Sequence, residues 1–192
     1  MNVRHALRAV TTAGLVAALA VPAAANASTF RHTDPAKDVQ RITSTNTVTN
    51  VPDNKTADVV HLQVAHTARH VRTTVRLREL GRRWLFVSRL QTARRGFQVI
   101  GRRTPGHRPT WTLARANGHP LTCDGLVGHQ SPRASTITLT VPSSCIGVPR
   151  WVRVGAGFVV RTNNGAVFAD DSQRTRHATA RHLTMSPRIH RG

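Results

Sequence analysis

From about residue 28 onward, apolar and polar side chains alternate with period two, and few windows hold the spacing of a helix. The clearest run is "HVRTTVRLREL". Val71, Thr73, Val75 and Leu77 share one face, and Arg72, Thr74, Arg76 and Arg78 share the other. That pattern predicts a half-buried strand with a ladder of arginines toward water. "DVVHLQVAH" pairs Val60, Leu62 and Val64 in the same way, and "RRWLFVSRL", "FQVIGRR", "TWTLARA", "STITLTVP", "RWVRVGAGFVV" and "AVFADD" read as further strands. Turn sequences fall between them, as in "NGHP" after Ala116 and "NNG" at 163–165. Strands at intervals of roughly ten residues are the mark of an antiparallel sandwich or barrel. Two stretches depart from the alternation. Residues 43–57, "TSTNTVTNVPDNKTA", read as a long exposed loop, and the basic tail from Ser172 holds at most one short strand, around 182–185.

The first 27 residues follow a different rule. Arg4 and Arg8 form a positive start, Ala9–Ala20 is an apolar run, and Ala25-Asn26-Ala27 supplies small residues before Ser28. These are the three parts of a secretory signal, and the apolar run is shorter than the roughly 20 residues of a spanning helix. We therefore expect a secreted chain in which 1–27 is the signal peptide and 28–192 a single domain with a basic C-terminal tail. No later apolar run is long enough to span a bilayer.

Export changes the reading of the only two cysteines, Cys123 and Cys145, 22 positions apart. Thiols outside the cytoplasm tend to oxidise, and a zinc site calls for four closely spaced ligands, so a disulfide between the two is expected. Cys123 ends a short apolar segment, the loop "GHQSPRA" leads on to the strand at 136–141, and Cys145 follows that strand's end.

Charge is the next constraint. The chain has 28 Lys+Arg against 8 Asp+Glu, a formal +20, and nearly all the basic residues are arginine. Such a field favours polyanions, with Arg72, Arg76 and Arg78 as the first candidate contacts and an anionic cell-wall polymer or glycan as the partner. The absence of tyrosine argues mildly against glycan recognition and against aromatic stacking on nucleic acid, and nucleic acid is not expected as a partner. The compositional alternative is a GC-rich genome that writes arginine for lysine, with the charge merely solvated. Trp84, Trp111 and Trp151 each lie in an apolar strand context, which assigns them to the core.

Carboxylates are scarce and unevenly placed. Asp34 and Asp38 frame "DPAKD", Asp53 and Asp58 flank the polar loop, and Asp170 and Asp171 are adjacent. Clustered carboxylates in a basic chain suit an oxygen-ligand calcium site, and Asp34-Pro35 also suits a plain turn.

"TFRHTDPAKDV" followed by "ADVVHLQVAHTARHVRTTVRLREL", with "VPSSCIGVPRWVRVGAG" and "FADDSQR" later, resembles a set of exported actinobacterial β-proteins. More remotely, over about 50 residues, the first block resembles the DOMON-like and glucodextranase-type C-terminal modules of secreted glycosidases. That resemblance implies a jelly-roll or DOMON-like β-sandwich and a calcium ion held by Asp34, Asp38 and Asp58, with Asp170 or Asp171 as further donors. The chain departs from the pattern at Lys37, where the family has glycine. A lysine there puts positive charge beside the ion and removes the freedom for positive φ.

Catalytic signatures are thin: there is no "GxSxG", "HExxH", phosphate loop or dinucleotide fingerprint, and Glu79 is the single glutamate. "PLTC" resembles the Thr-X-Thr-Cys strand end of sortase-type transpeptidases, which would cast Cys123 with His61 or His66 and Arg133. Pro120 stands where that family has threonine, and a disulfide would consume the nucleophile. The expectation is an all-β, antiparallel sandwich of eight to ten strands with one disulfide. It is expected to be non-catalytic and to act as a binding or envelope-associated module, with a calcium-stabilised carbohydrate-binding module and a sortase-like enzyme as the alternatives.

Overall fold

A computed structural model describes residues 27–43, 45, 47–174 and 183–192. All but the last residue of the expected signal peptide lies outside this range. The first strand, β1, begins at Ser28, where the expected mature chain starts.

Alternation becomes strand along most of the chain. After β1 (Ser28–Thr33) come β2 (Gln40–Ile42), β3 (Val48–Asn50), β4 (Val59–His66), β5 (His70–Leu77), β6 (Trp84–Gln91) and β7 (Gly96–Arg103). Then follow β8 (Thr110–Arg115), β9 (Pro120–Leu121), β10 (Val127–Ser131), β11 (Thr136–Pro142), β12 (Trp151–Arg161), β13 (Val167–Asp171) and β14 (Ile189–His190). A single 3-10 turn, Ser143–Ile146, separates β11 from β12.

All pairings are antiparallel, in two sheets. The smaller runs β1-β4-β5-β11-β10, and the larger runs β3-β2-β13-β12-β6-β7-β8-β9 with β14 beside β12. The β5 pattern holds as the alternation requires: Val71, Thr73, Val75 and Leu77 are buried, while Arg72 and Arg76 face out. Leu62, Val64, Val75, Ile137 and Leu139 from the small sheet meet Trp84, Phe86, Leu90, Val154 and Phe158 from the large one in a single core. Burying such side chains is worth roughly 1.5–3 kcal/mol each, the main term opposing chain entropy.

Trp111 locks the sheets at one edge. Its ring centroid is 5.9 Å from Trp84 and 6.1 Å from Phe86. A methyl group on Gly128 of β10 would fall 1.8 Å from the indole, and one on Gly101 of β7 2.3 Å from it. Glycine at these two positions is therefore a packing requirement: the indole occupies the space a side chain would need.

Connections that cross between the sheets gather at two poles. Residues 34–39, 51–58 and 78–83 cross where β4 begins and β5 ends. The β9–β10 and β11–β12 connections cross at the opposite pole, beside the turns 67–69, 92–95 and 116–119. Cys123 and Cys145 lie in the two connections of this second pole and are bonded to each other, with Cα atoms 5.6 Å apart. The expected disulfide is present, and it ties two crossovers together.

Several local expectations change. The loop expected at 43–57 contains β3, which pairs with β2, and the loop expected at "GHQSPRA" begins inside β10, paired with β11. Polar side chains hid both, because an outer strand needs one buried face at most. The described residues form fourteen strands rather than the expected eight to ten, since strands of two or three residues are too short to show a period. In the tail, residues 175–182 are outside the description. Residues 183–186 lie across β12 without forming a strand, over Gly155 and Gly157, whose added methyls would meet Thr184 O at 2.6 Å and Leu183 Cδ2 at 2.5 Å. Ser186 Oγ there accepts from the Val154 N–H at 2.9 Å. The tail's strand is β14, further on.

Candidate metal centre

The "DPAKD" segment is the crossover from β1 to β2, so it passes the seam where the two sheets meet. Asp34 N donates to Val60 O at 3.2 Å, fixing the segment to the start of β4. Across the seam, β13 ends in Asp170-Asp171, and Asp170 Oδ2 accepts from the Val59 N–H at 2.8 Å. The sheets therefore bring together residues 136 positions apart. Asp34, Asp38 and Asp170 each offer an oxygen, and these oxygens all lie within 4.8 Å of one another.

The surroundings do not neutralise this trio. The Asp34 side chain is fully buried, and neither of its carboxylate oxygens has a hydrogen-bond donor among the described residues; nor does Asp38 Oδ1. His32 Nε2 stands 3.6 Å from Asp34 Oδ1, beyond hydrogen-bonding distance. Burial, then the nearby Asp170 and Asp38, push the Asp34 carboxyl up to about 9. Burial, followed by the charge of Asp38, takes Asp170 up to about 8 against the pull of its backbone donors. Asp38 rises to about 6, mainly through burial. With Asp34 and Asp170 held mostly protonated near neutrality, and with both Asp34 oxygens and Asp38 Oδ1 lacking donors among the described residues, the trio has the donor set of a hard cation site.

Asp58 and Asp171 adjoin the trio in supporting roles. Asp58 Oδ2 accepts from Arg78 Nη1 at 2.7 Å and from the Lys37 N–H at 2.9 Å, leaving Oδ1 without a partner among the described residues. Asp171 Oδ2 accepts from the Thr184 N–H at 2.6 Å and lies 3.5 Å from Arg174 Nε, so it anchors the tail. Burial still raises its carboxyl above the usual range. Lys37 takes φ 75, in the left-handed region expected to need glycine. Its N–H bond to Asp58 holds the turn there, and its side chain is exposed. The lysine therefore leaves the turn intact.

Of the expected polyanion contacts, Arg72 and Arg76 stand exposed on β5, whereas Arg78 is committed to Asp58 and Pro52 O. Of the expected core tryptophans, Trp84 is buried and Trp111 packs against the core. Trp151 is half-buried, with Arg188 Cζ 4.5 Å from its ring centroid. Sequence reasoning ranked Asp58 above Asp170 because the resemblance covered only the first block. The adjacent pair Asp170-Asp171 was the visible signal. Comparison with protein-family models, with curated proteins and with solved structures finds no match.

Proposed function

We propose that this chain is an exported, non-catalytic β-sandwich binding module, fastened at its acidic pole by a calcium ion and presenting a polycationic surface to an anionic polymer or glycan. One observation carries the reading: five of the eight carboxylates are drawn into the seam around Asp34, and only Asp53, Glu79 and Asp124 are exposed. Folding thus removes most of the chain's negative charge from the surface and leaves the arginines outside. A field of that kind attracts polyanions strongly at low salt and weakly at high salt.

Calcium fits the cage better than a softer ion. All donors are oxygens, and bonds of roughly 2.3–2.6 Å place opposite ligands about 4.6–5.2 Å apart, in keeping with the 4.8 Å limit on the trio. Asp34, Asp38 and Asp170 would hold the ion, and Asp58 Oδ1 is a nearby further donor. The ion would supply the positive charge these buried acids lack. The disulfide supports the non-catalytic reading, because it leaves Cys123 without the thiolate that a sortase-like mechanism uses.

The test is retention of the chain from Ser28 onward on anionic wall material. Binding in low salt with release at high salt is the expected result; equal retention in molar salt refutes the charge argument. Titration with a thiol reagent under denaturing, non-reducing conditions should find no free thiol.

A further inference from the structure

The pole opposite the carboxylates carries a cleft of about 550 Å³. Three separate segments carry its arginines: the Thr92–Arg95 turn between β6 and β7, the end of β8 at Arg115, and the stretch Gly147–Trp151 after the 3-10 turn. Arg94, Arg95, Arg115 and Arg150 line it, all exposed, and none of them forms an ion pair among the described residues. No carboxylate lines it; Asp124, beside Cys123, is the nearest acid in sequence to this wall. Along β5, His70 lies at this pole and Leu77 at the acidic one, seven residue steps or about 23 Å apart. That exceeds two Debye lengths at physiological salt, so the acid cluster does not screen the cleft.

The cleft is held in shape before any ligand arrives. Thr92 Oγ1 accepts from the N–H groups of Arg94 and Arg95 and donates to Arg95 O at 3.0 Å, which fixes the turn carrying both arginines. The Cys123–Cys145 bridge pins the far wall. Val148 in that wall takes φ 47 and is 51 % exposed. A β-branched residue in the left-handed region costs on the order of 1–3 kcal/mol, so the surrounding structure must hold it there. Arg188 over Trp151 adds another guanidinium beside the indole, while Phe97 and Leu121 give the floor an apolar character.

We propose that this cleft seats an anionic glycan chain, with Arg94, Arg95, Arg115 and Arg150 on its phosphate or carboxylate oxygens and its ring carbons against Trp151 and Val148. This rests on the binding-module reading and gives it a place. Guanidinium groups match both oxyanions in forked geometry. Trp151 is the one aromatic of the cleft that reaches its surface, whereas single-stranded nucleic acid is gripped by a succession of aromatic platforms.

The experiment titrates the chain from Ser28 onward by calorimetry at about 50 mM salt, low enough to reveal charge-driven binding. The probes are a ring-bearing phosphate glycan, poly(N-acetylglucosamine 1-phosphate), together with polygalacturonate and single-stranded DNA. Two variants each remove two charges: Arg115→Gln/Arg150→Gln in the cleft and Arg72→Gln/Arg76→Gln on the β5 face. The cleft variant should weaken one or both anionic polymers by about tenfold or more, and the β5 variant by less than about threefold, given that localised charge-assisted contacts outweigh a diffuse field. Whichever polymer responds names the oxyanion. If the cleft variant melts early, Arg94→Gln/Arg95→Gln, in an exposed turn, takes its place. Equal loss in both variants overturns the cleft and leaves the polyanion reading standing. Failure of the unaltered chain to bind either polymer removes that reading and the cleft with it. Tighter binding of the DNA overturns the glycan assignment.

Discussion

The acidic cage makes a prediction in which two signs must agree. Asp34, Asp170 and Asp38 have carboxyls raised to about 9, 8 and 6 in the folded chain. A raised folded-state value means that the folded chain binds more protons than the unfolded one between about pH 4 and those values. Stability in chelator should therefore fall as pH climbs from about 4 toward 9. On the proposed reading calcium would replace the protons, so its stabilising effect should grow over the same range. For a site of the affinity usual in extracellular modules, roughly 0.1 mM, calcium at about 10 mM is a hundredfold excess and contributes about 2.7 kcal/mol. In a domain of about 165 residues each kcal/mol moves the midpoint by roughly 2–4 °C, so melting should shift upward by about 5–11 °C. Asp34→Asn separates a cation site from a merely structural one. The amide keeps the shape and cannot ionise, so in chelator at pH 8 the variant should be at least as stable as the parent, yet its calcium response should be much reduced. Differential scanning fluorimetry at pH 5 and 8, with chelator and with calcium, reads all of these. An unchanged midpoint between chelator and calcium at pH 8 refutes the cage, and a variant destabilised in chelator refutes the account of repulsion.

The disulfide closes a loop of 22 residues, so Cys123→Ala/Cys145→Ala should cost about 3 kcal/mol in the chain-entropy model, seen as a lower denaturant midpoint with a somewhat steeper slope as the unfolded chain expands; an unaltered midpoint would count against it. Gly128→Ala sets a methyl 1.8 Å from the Trp111 indole, so it should destabilise by about 1–3 kcal/mol and change the near-ultraviolet signal of the tryptophan cluster. Gly106→Ala, with open space around its missing methyl but φ 80, is the contrast: its smaller loss should come from backbone strain alone and leave that signal as it was. Ser186→Ala strands the buried Val154 N–H and should cost about 1–3 kcal/mol, with faster hydrogen exchange along β12 next to the tail.

The strands were legible because a half-buried strand writes its two faces alternately along the chain, and Val71 to Leu77 needs no other information. The disulfide was legible from an N-terminus that reads as an export signal and from there being only two cysteines. β3 and β10 were not, because a polar strand at or near a sheet edge differs little from a polar loop until its partner is known. Lys37 misled in the other direction: intrinsic preference opposes its conformation, and a bond from its own backbone to Asp58 overrides it. Trp151 has an apolar strand context in the sequence, yet its place at the start of β12 puts it on the cleft.

By itself, then, the sequence determined the longer alternating strands, the pairing of the cysteines and the excess of positive charge, since each depends on local alternation or on composition. Only the tertiary structure decided how that charge is distributed. The crossovers between the sheets carry Asp34 to Asp170 at one pole and set arginines from three separate segments around a cleft at the other. Neither arrangement leaves a trace in local sequence, because the contacts that make it join residues brought together only when the two sheets close on their common core.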